Sequence, residues 1–317
     1  MFSRPDFAAF LNIVAGNAAR RAIGHTYLMT SDVAWQMPDC APNENIRLWW
    51  DQSNVAAYAW FQPPDELKFD VRSDLGSDPK ILAEILEWAE QRRSAFPPNN
   101  PFYIPLDSMD EWVEVIRNPL PAPSPDDRYL VTTALESDRE RIEILEQTGF
   151  GTTRHFEPIL TCNLAEVETS QAPTGFTLRH VKEGDFEERV ALHAAAWAPA
   201  SGFNMDLYLK VRAITEVFDP DLDIVAVAND GTFASYTIAW IDSLSRIGSF
   251  EPFGTHPSYR GTGVSKAVIH EGFRRLLRKG MQHARIYTAG FNHQAAKLYR
   301  GCGFEQIDVN RTMIKRL

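Results

Sequence analysis

Strand-like and helix-like hydrophobic patterns follow one another along the second half of this 317-residue chain. Apolar runs bounded by turn residues predict strands over residues 175–181, 223–228, 232–241, 246–254 and 283–290. Apolar positions at helical spacing predict helices over residues 185–197, 206–217, 264–279 and 292–303. Asp230-Gly231 predicts a hairpin turn, so the two strands beside it should be antiparallel. The pattern is that of an α+β domain.

The first half of the chain repeats this order of elements. Strands are predicted over 46–52, 54–62 and 66–72, and a helix capped by Asp78 over 79–93. RYLVTTALESDRERIEILEQTGF (128–150) then has the layout of ARIYTAGFNHQAAKLYRGCGF (284–304), namely strand, polar loop, helix and Gly-Phe. The sequence therefore predicts two similar α+β domains in tandem.

A glycine-rich loop, Arg260-Gly261-Thr262-Gly263, connects one strand of the second half to a long helix. The first N–H groups of a helix lack intrahelical acceptors and carry the positive end of its dipole. Glycines let an anion approach closely, Thr262 and Ser265 can donate hydrogen bonds, and Arg260 adds charge. Neither the Walker motif nor the dinucleotide-binding motif fits. The loop predicts a pyrophosphate site, with a plain turn as the alternative.

The loop resembles the acyl-CoA signature of the GNAT superfamily of N-acyltransferases, Gln/Arg-x-x-Gly-x-Gly/Ala. Residues 260–265 match it except at Ser265, a small residue at which we expect weaker but intact binding. A second motif, Asn-x-x-Ala-x-x-x-Tyr followed by Gly-Phe, occupies 292–304. In this family that segment is the second half of the cofactor groove. The resemblance implies two GNAT-like domains, each a mixed, mostly antiparallel sheet flanked by helices.

The resemblance also implies a cofactor, acetyl-CoA or another acyl-CoA, and residues to bind it. These are Phe253, Gly254, Thr255, Arg260, Gly261, Thr262, Gly263, Val264, Ser265, Lys266 and Asn292. Glu251 matches the position of an acid that deprotonates the amine, and Tyr299 that of the acid that protonates the leaving thiolate. The alternatives are a structural glutamate, solvated or paired with Arg260, and a packed helix aromatic.

The first copy departs from the signature where the second copy matches it. Its loop 72–77 has one glycine, and Asp74 and Asp78 would repel a pyrophosphate. Leu145 stands at the position of Tyr299. We therefore expect a degenerate domain that packs against the second copy and helps to wall its substrate cleft.

The boundary between the copies is predicted in the polar, aperiodic segment 163–175, which gives domains 1–165 and 166–317. The proline-dense segment 118–127 is the rival boundary. A cut there would separate 128–162 from the strands with which it should pair, so 118–127 is predicted to be a surface loop of the first domain.

Composition limits the class of partner. A formal net charge of −10, without a cluster of Lys and Arg, argues against nucleic-acid binding and mildly favours a cationic substrate. No apolar run approaches the roughly 18 residues of a membrane span, and the N-terminus lacks the layout of a signal peptide. We expect a cytoplasmic protein, monomeric or homodimeric.

The three cysteines, Cys40, Cys162 and Cys302, support neither a disulfide framework nor a zinc site, and no metal is expected. Cys302 invites a nucleophile hypothesis, but acyl transfer in GNAT enzymes is usually direct.

Candidate acceptor contacts are Trp197, Trp240 and Asp242, because aromatic rings with an acid suit an amine, although a core position is the alternative for either tryptophan. Trp49 and Trp50 cannot share one face of a strand. One of them therefore needs an interface or a cover, which a domain interface would supply.

These observations predict an acetyl-CoA-dependent N-acetyltransferase acting on a primary amine of a small molecule. Among tandem enzymes the resemblance extends to the mycothiol synthase type. An aminoglycoside or natural-product amine is an alternative acceptor. A CoA-binding sensor or scaffold without turnover is the alternative from another functional class.

Overall fold

The computed structural model describes residues 4–40, 43–76, 78–99, 108–117, 124, 127–199, 201–214 and 216–317. The helices in these ranges are α1 (Arg4–Arg20), α2 (Thr30–Cys40), α3 (Pro79–Ser94), α4 (Met109–Arg117), α5 (Arg139–Gln147), α6 (Phe186–Ala196), α7 (Met205–Arg212), α8 (Val264–Arg278) and α9 (His293–Gly301). The strands are β1 (Ile46–Asp51), β2 (Asn54–Gln62), β3 (Glu66–Val71), β4 (Tyr129–Leu135), β5 (Gly151–Asn163), β6 (Phe176–His180), β7 (Asp223–Ala228), β8 (Phe233–Asp242), β9 (Ile247–Thr255), β10 (His283–Tyr287) and β11 (Glu305–Arg316). None of the described helices is long and apolar enough to cross a membrane.

The strands of both halves join into one mixed sheet. Its order is β1-β2-β3-β4-β11-β5-β10-β9-β8-β7-β6. Most neighbouring strands are antiparallel, and β3 with β4 and β9 with β10 are parallel. The expected mixed, mostly antiparallel sheet in a tandem α+β chain is confirmed.

The two halves exchange their last strands at the centre of the sheet. β11, the end of the second half, lies between β4 and β5 of the first half. β5, the end of the first half, lies between β11 and β10 of the second. Every neighbour of β5 therefore comes from the second half, and the cores of the two halves form around one continuous sheet.

Helix ends show the internal repeat in detail. Asp138 caps α5 and Asn292 caps α9, each by accepting a backbone N–H with its side chain. After each helix the Phe N–H returns to a helix carbonyl, Phe150 to Leu145 and Phe304 to Tyr299. The glycines before them, at 149 and 303, have φ of 95° and 98°, a conformation that favours glycine. The correspondence between 128–150 and 284–304 extends to the backbone.

Helices cover both faces of the sheet. Residues on the front face, such as Tyr58 and Trp240, pack against α1, α2 and α7. Residues on the back face, such as Ala59 and Phe250, pack against α3 in the first half and α8 in the second. The alternation of side chains along each strand separates these two cores.

The second helix of the chain, α2, crosses from the first half to the second. Ala34 of α2 is fully buried in one cluster with Tyr208 of α7 and Trp240 of β8. Ser249 of β9 donates a hydrogen bond to Ser31 of α2 at 2.6 Å. α2 therefore covers the front face of the second half next to the end of β9.

Some sequence expectations need correction. The helix predicted over 206–217 ends at Arg212, and the chain then makes turns in which the N–H of Val217 donates to the carbonyl of Ile214. The expectation of an interface for one of the paired tryptophans was wrong. Trp50 is 52% exposed on the edge strand β1, whereas Trp49 packs against Trp88 of α3. Most of 118–127 and the side chain of Cys40 lie outside the described residues.

Candidate active site

Two neighbouring strands separate at the centre of the second half. β9 pairs with β10 in parallel only as far as Ser249, which lies opposite Arg285. On its other side β9 pairs with β8 through a β-bulge, in which Glu251 and Pro252 together face the single residue Ile238. Beyond Ser249, therefore, the β10-facing edge of β9 is no longer used by β10, and the predicted contacts Phe253, Gly254 and Thr255 lie along this part.

The glycine-rich loop brings an open helix N-terminus to the same place. Gly263 is the N-cap of α8 with φ of 87°, and no side chain caps the helix. Gly261 also has positive φ, and a Cβ at either glycine would meet nothing closer than 3.6 Å. The glycines are thus required by backbone conformation and not by crowding. The N–H of Val264 donates to the Thr262 hydroxyl at 3.5 Å, whereas the first-turn N–H groups of Ser265 and Lys266 can serve an anion, so this loop fits a diphosphate.

Three polar side chains of the loop and of the first helical turn have hydrogen-bond partners within the protein. Arg260 is exposed and donates to the carbonyl of Ala196 at 3.1 Å. Thr262 donates its hydroxyl to the carbonyl of Tyr259 at 2.7 Å. The hydroxyl of Ser265, where the family motif has a smaller residue, is hydrogen-bonded to that of Thr255 at 2.8 Å. Ser265 is therefore engaged with β9.

The corresponding helix of the first half has a closed N-terminus. The carboxylate of Asp78 accepts from the N–H groups of Lys80 and Ile81 at the start of α3. Asp74 in the preceding loop pairs with Arg72 at 2.7 Å. A capping carboxylate occupies the donors that an anion would use. This contrast supports the sequence-based expectation that the first copy lacks the cofactor site.

Tyr299 and Asn292 come from α9, beside the separated strands. Tyr299 is 6% exposed, and its ring lies 6.1 Å from that of Phe253. Burial raises the pKa of this phenol, so it is protonated at neutral pH. The side chain of Asn292 caps α9 by accepting from the N–H of Ala295 at 3.1 Å. Cys302 is buried and its pKa is raised to about 12 by burial, which argues against a nucleophilic thiolate.

Glu251 lies on the front face of β9. Tyr287 of β10 donates its hydroxyl to Glu251 Oε1 at 2.7 Å. Glu251 Oε2 is buried and has no hydrogen-bond partner within the described ranges. Burial, followed by the negative charge of Asp32, raises the pKa of Glu251 well above its ordinary value. Glu251 is not paired with Arg260, which was the alternative considered from the sequence.

Sequence reasoning missed the residues around Glu251. Tyr287 lies on β10, Asp32 on α2, Lys68 on β3 and Glu157 on β5. The pKa of Glu157 is raised to about 7 by burial, partly offset by the positive charge of Lys68. Burial alone would lower the pKa of Lys68, but the surrounding carboxylates, Glu66 and Asp32 first, outweigh it and raise the pKa. No local motif marks these residues, because only the exchange of strands and the crossing of α2 bring them to Glu251.

The predicted acceptor contacts do not lie together. Trp197, which is 41% exposed, follows α6 next to the glycine-rich loop and donates its indole N–H to the hydroxyl of Tyr236 at 2.9 Å. Trp240 is 1% exposed and donates to the backbone carbonyl of Glu251. Asp242 accepts from the N–H groups of Leu244 and Ser245 in the hairpin turn at the far end of β8. Of these three residues, Trp197 alone presents substantial surface, and it lies near the glycine-rich loop.

Comparisons with known proteins find similar sequences over the second half of the chain. Residues 188–304 match the model of the acetyltransferase (GNAT) family. A mycothiol acetyltransferase of Propionibacterium freudenreichii subsp. shermanii is 26% identical over 143 residues, covering 44% of this chain and 46% of that protein. The chain spans about half the length of the mycothiol acetyltransferases that it matches.

Solved structures extend the likeness in fold to nearly the whole chain. A GCN5-related N-acetyltransferase from Sphaerobacter thermophilus aligns with a TM-score of 0.63 at 16% identity, over 97% of this chain and 91% of that one. A tandem GNAT protein from the clavulanic acid biosynthesis pathway aligns with a TM-score of 0.65 at 12% identity, over 97% and 93%. At these identities the comparison shows the tandem fold alone.

Proposed function

We propose that the protein transfers an acetyl group from acetyl-CoA directly to a primary amine of a small molecule, a proposal supported by the match of residues 188–304 to the model of the acetyltransferase (GNAT) family. The observation that carries the proposal is the uncapped N-terminus of α8 beside the separated strands β9 and β10. Glu251 and Tyr299 lie on elements that border this opening, β9 and α9. The proposal thus has a site for an anion next to a site for proton transfer.

The proposed cofactor contacts divide between the loop and the strand. Residues 260–266 would bind the diphosphate through the first turn of α8 and through Arg260, and Phe253, Gly254 and Thr255 would bind the pantetheine arm along β9. Asn292 would act indirectly, by fixing the start of α9. Acetyl-CoA supplies an acetyl group activated as a thioester. Gly254 leaves no room for a larger residue, because a Cβ there would lie 2.7 Å from the ring of Tyr236.

Glu251 and Tyr299 would move the protons. An amine is protonated at neutral pH and must lose a proton before its nitrogen can attack. A carboxylate with a raised pKa and an unpartnered oxygen, such as Glu251 Oε2, is suited to accept it. The phenol of Tyr299 remains protonated and can give its proton to the departing sulfur.

The division of labour between the halves is also a proposal. We assign the cofactor site to 166–317 and the degenerate copy to 1–165, in which Asp78 closes the equivalent helix. The acceptor would enter on the front face, between Trp197 and the acid-rich surroundings of Glu251. The acids there, Asp32, Glu66, Glu157 and Glu251, outnumber the cations Lys68 and Arg285, which favours a cationic amine.

Calorimetric titration with acetyl-CoA, followed by a thiol-release assay on a library of amines, tests this function. We expect one site per chain with micromolar affinity, about −8 kcal/mol, and CoA release that depends on an amine. Two equivalents per chain would contradict the degenerate first copy. Binding without turnover on any amine would favour a sensor or scaffold, and absence of binding would refute the cofactor site.

A further inference from the structure

The hydroxyl of Tyr287 lies between two carboxylates that come from different halves of the chain. It is 2.7 Å from Glu251 Oε1 on β9 and 3.4 Å from Asp32 Oδ1 on α2. Asp32 is 4% exposed, and its other oxygen accepts the N–H of Met29 at 2.6 Å. The hydrogen bond between Ser249 and Ser31 fixes α2 to β9 one residue away from Asp32. Asp32 is therefore held rigidly beside Glu251.

We propose that Asp32 and Tyr287 are positioning residues for Glu251, so that the first half of the chain supplies part of the acetyl-transfer machinery. This inference rests on the proposed role of Glu251 as the base. It gives the degenerate copy a task beyond packing, because α2 brings a charge of the first half to the reacting carboxylate of the second.

The hydrogen-bonding geometry of Tyr287, Glu251 and Asp32 explains how Glu251 would be positioned. A phenol has one proton to donate, and the shorter distance assigns it to Glu251 Oε1. This fixes the carboxylate and leaves Oε2 free to accept a proton from the amine. That proton then forms a bond to Oε2, while the electron pair of the broken N–H bond stays on nitrogen for the attack. The negative charge of Asp32 favours the protonated form of Glu251, since protonation relieves the repulsion between the carboxylates.

Other charged groups lie near Glu251, Asp32 and Tyr287 and moderate the electrostatic potential at Glu251. Lys68 of β3 is hydrogen-bonded to Gln36 of α2 and lies 3.6 Å from Glu66. Arg285 of β10 lies 3.9 Å from Asp32, and Glu157 of β5 adds a further negative charge that acts on Tyr287. Lys68 and Arg285 are present in every variant considered below. Removing the charge of Asp32 should therefore lower the pKa of Glu251, and removing the hydroxyl of Tyr287 should raise it.

The pH dependence of kcat/KM in two nearly isosteric variants tests the proposal. Asp32→Asn keeps an oxygen for the N–H of Met29, and we expect the acid limb of its profile to move to lower pH by about one unit. In Tyr287→Phe the acid limb should move to higher pH. Asp74→Asn, which removes the same charge from an exposed loop, should leave the limb in place. A purely structural role predicts lower rates with an unmoved limb in both variants, and that result would overturn the proposal.

A spectroscopic titration separates this inference from the proposed function. In full-length protein with ¹³C-labelled glutamate carboxyl groups, the resonance lost in Glu251→Gln reports the protonation of Glu251 directly. In this titration the pKa of Glu251 should fall in Asp32→Asn and rise in Tyr287→Phe. If no amine is acetylated, the proposed function fails whatever the titration shows. If transfer occurs but the resonance titrates identically in all variants, the positioning role fails alone, and Tyr287→Phe decides it even if Asp32→Asn does not fold.

Discussion

Ser249 of β9 donates a hydrogen bond to Ser31 of α2, with 2.6 Å between the hydroxyl oxygens and a separation of 218 positions in the chain. This contact marks the place where the first half covers the candidate active site. Together with the exchange of β5 and β11, it means that neither half has a complete sheet or a complete site without the other.

Separating the two halves of the chain should therefore destroy both the continuous sheet and the candidate site. Residues 166–317 alone lack β5, so β10 loses its antiparallel neighbour and the front face loses α2. We expect this fragment to aggregate or to lack a cooperative thermal transition by circular dichroism, and co-expression with 1–165 to restore a soluble complex. A monomeric 166–317 that melts cooperatively at the temperature of the full chain would contradict the exchanged-strand sheet.

Gly263→Glu should abolish acetyl-CoA binding. The new carboxylate would stand at the N-terminus of α8, where two like charges 4 Å apart repel by about 4 kcal/mol near a protein surface, roughly a thousandfold in affinity. Calorimetric titration measures this loss.

Gly231→Glu is the matched control for that substitution. Gly231 has φ of 89°, close to the 87° of Gly263, and a Cβ there meets nothing within 4 Å. Both variants should lose a similar roughly 1–2 kcal/mol of stability because of the positive φ, but Gly231→Glu should bind acetyl-CoA normally. Equal loss of acetyl-CoA binding in both variants would show that backbone strain, and not the added charge, causes the loss.

Tyr299→Phe should lower kcat by about 100-fold or more while leaving acetyl-CoA affinity nearly unchanged, because only the proton donor is lost. Steady-state kinetics and titration together test this. Tyr129→Phe, a hydroxyl loss on β4 of the first half, should change neither quantity. An unchanged kcat in Tyr299→Phe would mean that the phenol is only a packed aromatic.

Because of Glu157, the free energy of unfolding of the protein should fall as pH rises. Its folded pKa of about 7 lies above the ordinary value of 4.5, so the folded state binds more protons between these values and the free energy of unfolding falls across them. Glu157→Gln should therefore be more stable than the parent at pH 8 by about 1–3 kcal/mol and equal to it near pH 4.

Urea denaturation at the two pH values measures this difference. Glu87→Gln, at an exposed position of α3, is the control and should follow the parent at both. A stability difference for Glu157→Gln that does not depend on pH would refute the raised pKa.

Local sequence determined most of the elements and one side of the site. Apolar periodicity located the strands other than β5 and β11 and the helices α3 and α5 to α9, and the caps Asp78 and Asn292 follow from residue type, because capping depends on neighbours within four residues. The open N-terminus of α8 also follows from a short motif. The sequence pattern did not predict the helices α1, α2 and α4 or the strands β5 and β11.

Tertiary structure alone decided what surrounds Glu251. Asp32, Lys68, Glu157 and Tyr287 come from four elements far apart in the chain, and the polar face that they share exists only because β5 and β11 change places and α2 crosses to the second half. Strand exchange depends on which edges pair best in the whole sheet, and the same alternating pattern would suit pairing within either half. The sequence by itself therefore determined two similar domains and a candidate cofactor loop, whereas long-range pairing determined that the domains share one sheet and the surroundings of Glu251.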